Sequence, residues 1–132
     1  MKNILKIISI GLALILLLAY SGVATLIKID VQGNLVDDKG QTLYYFSNDG
    51  PNMISTCYGS CSETWNPFYD ENISVEGDLL ENDFDTIIRQ DGMKQTSYKN
   101  WPIYKYSKDL KPGKAEMEGL WFEVKPGISP FI

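Results

Sequence analysis

The chain has 132 residues, with 12 basic and 17 acidic side chains, no histidine and a single arginine, Arg89. That length supports one domain with a tail, and the missing imidazoles exclude a His-based triad, haem ligation by imidazole and any His-containing zinc site. Beyond Lys2 and Lys6 the chain sets 10 basic against 17 acidic residues, net −7, a balance that repels phosphate backbones and speaks against nucleic-acid binding.

Lys2 and Lys6 precede an uncharged run from Ile7 to Ile27, dominated by Leu and Ile. The run supplies the roughly 20 apolar residues that a bilayer-spanning helix needs. With the lysines held in the cytoplasm, everything after the run is exported. Residues 1–27 are therefore read as a single-pass membrane anchor and 28–132 as an extracytoplasmic domain. The alternative is a signal segment cut near Ala24, where Gly22-Val23-Ala24 offers small residues, leaving a secreted protein. Continuation of the run through Leu26-Ile27 favours the retained helix. No cysteine lies in this region, so lipid attachment there is excluded.

Strand signals follow. Ile27, Ile29 and Val31 alternate with Lys28, Asp30 and Gln32, the period of a half-buried strand. Gly33-Asn34 turns the chain, and Asp37-Asp38-Lys39-Gly40 is a polar hairpin loop between Leu35-Val36 and Leu43 to Phe46. In that last strand Tyr44 and Phe46 share one face, Leu43 and Tyr45 the other, so it is expected to lie centrally. Ser47 to Gly77 reads as one long loop, punctuated at Asn48-Asp49-Gly50 and Asn66-Pro67 and carrying a glycosylation sequon at Asn72.

Such a loop needs tying down, and Cys57 and Cys61 are placed to do so around a turn at Gly59. In an exported domain the expectation is a structural disulfide, contributing on the order of 2 kcal/mol in chain-entropy terms. The competing reading is a redox-active pair, which lacks Cys-x-x-Cys spacing and a nearby group to depress a thiol pKa.

The second half is patterned more clearly. Asp78 to Asp85 suits a short helical turn, and Phe84 to Ile88 leads through Asp91-Gly92, a two-residue hairpin signal, into Gln95 to Tyr98. Lys99-Asn100 turns into Trp101 to Tyr106, with Asn100 suited to left-handed backbone. Leu120, Phe122 and Val124 mark a closing strand, and the tail from Pro126 is apolar enough to dock.

Tyr-x-aromatic-x-x-Asp occurs twice, as Tyr44, Phe46, Asp49 and as Tyr104, Tyr106, Asp109, each copy trailed by a tryptophan, Trp65 or Trp121. With Ser55-Thr56-Cys57, Cys61, Arg89-Gln90-Asp91-Gly92, Gln95, Tyr98, Trp101-Pro102 and Pro112-Gly113, the chain from about Asn34 to Pro126 resembles the secreted, usually lipid-anchored bacterial and archaeal family of predicted lipoproteins named for that motif. The resemblance implies location and repeat architecture rather than chemistry. The chain departs from the family in lacking the lipobox cysteine and in carrying Asn66 where a proline is usual.

These readings predict an all-β domain of antiparallel hairpins in two related halves, about 34–67 and 87–125, sandwich- or barrel-like and preceded by one transmembrane helix. The motif aromatics are expected to pack between strands, with Asp49 and Asp109 accepting backbone N–H bonds where each strand turns. A hard cation on the two aspartates is the sharper alternative, weakened by the lack of a dense run of oxygen ligands. No catalytic residue, metal or cofactor is assigned. The expected role is a non-catalytic binding or structural domain whose partners are the membrane and a membrane-protein or cell-surface molecule. The alternatives are an accessory subunit of a membrane-embedded complex and a thiol-disulfide protein using Cys57 and Cys61.

Overall fold

The computed structural model describes residues 23–50, 54–108 and 111–130. Most of the expected N-terminal helix, and Asp109, therefore lie outside the described residues. Among those described, no helix is long and apolar enough to cross a membrane.

Among the described residues nine strands carry the fold: β1 (Thr25–Ile29), β2 (Leu35–Val36), β3 (Leu43–Phe46), β4 (Trp65–Pro67), β5 (Ile73–Val75), β6 (Phe84–Ile88), β7 (Lys94–Tyr98), β8 (Trp101–Tyr106) and β9 (Trp121–Glu123). Two helices of about one turn, α1 (Ser60–Thr64) and α2 (Lys114–Met117), precede β4 and β9. The strands form two sheets, one ordered β2-β1-β5 and one ordered β6-β7-β8-β3-β9, with β4 also pairing β8. All-β architecture thus holds, but the pairing is not wholly antiparallel. β1 and β5 run parallel, with Thr25 opposite Ile73 and Ile27 opposite Val75.

β1 begins before the expected boundary at residue 27. Ile27 is fully buried in the domain core, whereas Ile29 and Val31 are exposed, because the strand ends at Ile29 and Asp30 opens a turn. The expected long loop, residues 47–77, also holds more order than its punctuation suggests. α1, β4 and β5 lie within it, and their three- to five-residue lengths give no periodicity to read. Pro67 fits a strand because β4 sits on the rim, where no N–H is required of it.

The hairpin at Asp91-Gly92 is wider than two residues. Arg89 N donates to Met93 O at 2.8 Å and Gly92 N to Arg89 O at 2.9 Å, so only Gly92 takes positive φ. The same turn recurs at Asp37–Gln41 and Asp30–Asn34, each with its glycine fourth and a carboxylate accepting backbone N–H bonds across the loop. The two-residue turn lies instead at Lys99-Asn100, where both residues take positive φ between paired Tyr98 and Trp101.

β3 lies centrally, between β8 and β9, and its alternation divides the interior. Leu43 joins Ile27, Leu35, Phe84, Tyr98, Ile103 and Val124 in one cluster, against which Tyr45 packs. Tyr44 joins Cys57, Trp65, Tyr104, Tyr106 and Trp121 in the other, against which Phe46 packs. The tail docks, with Ile128 against the first cluster and Ser129 O accepting from the Trp101 indole at 3.0 Å.

Candidate functional site

The repeated motif converges on one place. Tyr44 stands directly opposite Tyr104, and the neighbouring pairs Leu43–Lys105 and Tyr45–Ile103 exchange under a twofold axis between them. The outer strands obey the same axis. β9 covers β3 with Trp121 opposite Phe46, while β4 covers β8 with Trp65 opposite Tyr106. Hydrogen bonds repeat in pairs: Ser47 N to Leu120 O (2.8 Å) matches Ser107 N to Thr64 O (2.9 Å), and Val124 N to Leu43 O (2.9 Å) matches Phe68 N to Ile103 O (3.0 Å). Each half therefore lends its tryptophan strand to the other half's tyrosine strand.

The rings follow. Tyr44 meets Trp65 edge-on at 5.1 Å, and Tyr104 meets Trp121 edge-on at 5.0 Å. Phe46 stacks on Trp121 at 4.4 Å, and Tyr106 lies tilted against Trp65 at 5.1 Å. The two indoles stack on each other. Aromatic pairs in offset or edge geometry contribute about 0.5–1.5 kcal/mol each beyond the area they bury.

Around Tyr104 the symmetry is broken by a polar chain. Arg89 Nη1 donates to Ser55 Oγ at 2.7 Å, Ser55 Oγ lies 2.5 Å from the Tyr104 hydroxyl, and Tyr104 donates to Asp49 Oδ2 at 3.0 Å. Since the phenol has one proton and Asp49 receives it, Ser55 donates to Tyr104. Thr56 closes the far end, its N–H and hydroxyl both donating to Asp49 Oδ1 at 2.9 Å. Gln95 braces the middle, accepting from Arg89 at 2.8 Å and donating to Ile103 O at 2.8 Å. A buried cation and a buried carboxylate are thus joined through two hydroxyls, each bond polarising the next.

Burial sets the electrostatics. It pushes the Asp49 carboxyl above the usual carboxylate range, against the lowering pull of the Thr56 donors, Tyr104 and Arg89. It also drives the Tyr104 phenol well above its ordinary value, helped by the Asp49 charge. Asp91, at the surface, is held below the usual range, first by the Met93 N–H and also by Arg89. All of Asp49's bonds come from donors, a pairing suited to a carboxylate closing a turn rather than to a cation ligand.

Cys57 and Cys61 are bonded, with Cα atoms 5.3 Å apart. Cys57 is fully buried, and its carbonyl accepts from Arg89 Nη2 at 2.6 Å. The guanidinium also lies 4.5 Å from the centre of the Tyr58 ring, so one arginine holds the start of the disulfide loop at two adjacent residues. Arg89, Ser55, Thr56 and Gln95 carry no period or cap signal. All four stood among the residues that carried the family resemblance, and Arg89 was also the chain's lone arginine, a hint because a buried guanidinium demands several acceptors at once.

Tyr44, Phe46, Asp49, Trp65, Tyr104, Tyr106 and Trp121 are therefore brought together, while Asp109 lies outside the described residues. A family model described as a secreted repeat of unknown function matches the chain twice, over residues 28–68 and 85–125. No curated protein and no solved structure matches it.

Proposed function

The chain belongs to the family of secreted repeats of unknown function, and from that premise we propose a non-catalytic extracytoplasmic domain with a binding or structural role, held at the cell membrane by its apolar N-terminal segment. One observation carries this reading. The groups best suited to chemistry, Arg89, Ser55, Tyr104 and Asp49, are each less than 5% exposed and spend their hydrogen bonds on one another and on Thr56, Asp91, Gln95 and the Cys57 carbonyl. Such a chain fixes the disulfide loop against both halves of the sheet and leaves the outer surface as the working part. The burial of Cys57 and the hold on its carbonyl support a structural bridge over a redox-active one.

The test uses native protein extracted gently from membranes. The Cys57–Cys61 couple should be strongly reducing, below about −300 mV, like structural disulfides of secreted proteins. Chemical cross-linking before extraction should return a reproducible membrane or surface partner. A potential between about −270 and −120 mV, the span of dedicated oxidoreductases, would move the assignment to thiol-disulfide chemistry.

A further inference from the structure

Each repeat opens with a hairpin whose first strand has an outer edge, β1 in the first repeat and β6 in the second. The hairpins turn alike at Asp30–Asn34 and Arg89–Met93, so Ile27 corresponds to Thr86 and Ile29 to Ile88. On β1 that edge is filled by β5, which lies in the connection between the two matched repeats and runs parallel to β1. On β6 it is bare, for among the described residues β6 ends its sheet. We propose that the outer edge of β6 docks an extended segment of a partner protein, added as a parallel strand with a basic residue between two aliphatic ones.

The backbone of β6 is set for such an addition. Arg89 N donates to Met93 O and Lys99 N to Asp83 O, so the bonds to β7 fall on odd-numbered residues. Thr86 and Ile88 therefore turn N–H and C=O outward, and both residues are exposed. Phe84 offers only its carbonyl, because its N–H is taken by Glu81 O. On β1 the corresponding row is bonded: Thr25 N donates to Asn72 O at 2.9 Å, and Glu76 N to Ile27 O at 3.1 Å. β6 also lacks the usual guards of an edge. Its five residues hold no proline, lysine or bulge, whereas β2, β4, β5 and β9 have only two or three residues each.

The surrounding side chains select the class of occupant. In parallel register the residue opposite Asp85 takes that exposed carboxylate as its cross-strand neighbour. A cavity of 190 Å³ beside Phe84, Asp85 and Thr86 is also walled by Glu71 and Glu81, and by no basic residue. A lysine or arginine is favoured there. A second copy of this chain, net −7 beyond residue 27, is disfavoured. The residues on either side of the basic one fall on the face of Phe84, Thr86 and Ile88, as Ile73 and Val75 of β5 do beside β1. A second cavity, of 390 Å³, shares Thr86 and continues to Gln90, with Ile54 and Ile88 exposed on its walls. The tail that follows β9 is engaged elsewhere: Pro126 O accepts from Lys99 Nζ at 2.6 Å, and Ser129 O from the Trp101 indole at 3.0 Å.

The proposal rests on the binding role given above and names its partner class. The full chain in detergent micelles is titrated by calorimetry with a capped peptide copying residues 72–77 but carrying Ser74→Lys, and with its Ser74→Glu counterpart. The lysine peptide should bind saturably, about fivefold tighter than the glutamate peptide. By NMR the Thr86 and Ile88 amides should exchange fast in the free chain, and about tenfold or more slowly with the lysine peptide bound. Thr86→Pro removes an outward N–H without touching the β7 ladder, so it should melt as wild type does and lose the peptide. Asp85→Lys, a change at an exposed side chain, should reverse the preference toward the glutamate peptide.

Binding of neither peptide, equal binding of both, or binding unchanged by Thr86→Pro overturns the proposal. So do Thr86 and Ile88 amides already protected in the free chain, which place its own residues or a second copy on the edge. A native cross-linked partner held equally by Thr86→Pro also overturns it, while the binding role stands. An oxidoreductase potential at Cys57–Cys61 removes the binding role and leaves the peptide result untouched, so the two failures are told apart.

Discussion

The indoles of Trp65 and Trp121 lie face to face, 4.2 Å between centroids and 7° from parallel, although 56 residues separate them in the chain. Each belongs to the outer strand that covers the other repeat's tyrosine strand. The stack therefore sits where the two halves close on each other, and perturbing one half has to be felt in both.

Tyr104→Ala is expected to cost about 3–5 kcal/mol, as other large-to-small core changes do, and to loosen both halves in one transition. Urea unfolding followed by tryptophan fluorescence and by far-ultraviolet circular dichroism should give coincident curves. Separate transitions would show that the halves fold independently. Tyr104→Phe keeps the ring but strands Asp49 and Ser55, and should cost about 1–3 kcal/mol.

Asp49 gives the fold a pH dependence of definite sign. Its folded pKa lies above the unfolded value, so the folded state binds the extra proton, and this residue's contribution to stability is fully present below the ordinary carboxylate range. The contribution is lost as pH rises from about 3.9 through the raised folded pKa. Asp49→Asn should remove that decline, so the stability of the variant relative to wild type rises between acid and neutral pH. A difference that stays flat, or falls, in urea titrations across this window would contradict the burial argument.

Arg89→Lys should cost about 2–4 kcal/mol despite keeping the charge. One ammonium cannot reach Ser55, Gln95 and the Cys57 carbonyl in the guanidinium's fork, so buried acceptors are left bare. The urea midpoint should fall with an unchanged m-value. A midpoint equal to wild type would mean the fork is dispensable.

Amino-terminal sequencing of native protein should begin at or near Met1, given the apolar length from Ile7 onward. Cleavage after Ala24 would instead start the chain at Thr25, the first residue of β1, and leave a complete sheet with no tether.

The strands richest in aromatic and aliphatic side chains were the ones most readily read. Leu43 to Phe46 announces itself as a two-sided strand because Leu43 and Tyr44 enter different clusters, and the Tyr-x-aromatic repeat announced two halves. What the residues could not show was partnership. Trp65–Pro67 is a strand only because Tyr106 and Tyr104 lie opposite, and no three-residue segment containing a proline advertises that. Arg89 sits at the first position of a turn, where a solvated side chain is the ordinary outcome, and only the folded path of residues 55–57 turns it inward. Asp30, Asp37 and Asp91 open or span three turns of one design; the sequence marked Asp37 and Asp91 as turn residues beside their glycines, but Asp30 read as part of the alternating strand. The boundary set at residue 27 fell inside β1 because Ile27 serves equally well as the end of an apolar run and as a core residue.

The lending of β4 and β9 across the axis has a consequence for how such a protein can arise. A polypeptide with a single copy would leave its tyrosine strand bare along the edge that β9 or β4 covers here. Two identical chains of that kind could supply each other's missing strand and rebuild the same sheet as a symmetric homodimer. Fusing them head to tail gives one gene product with no assembly step, in which the copies no longer have to stay alike. Arg89, Ser55 and Asp49, chained to Tyr104 on one side of the axis, are the divergence that fusion permits.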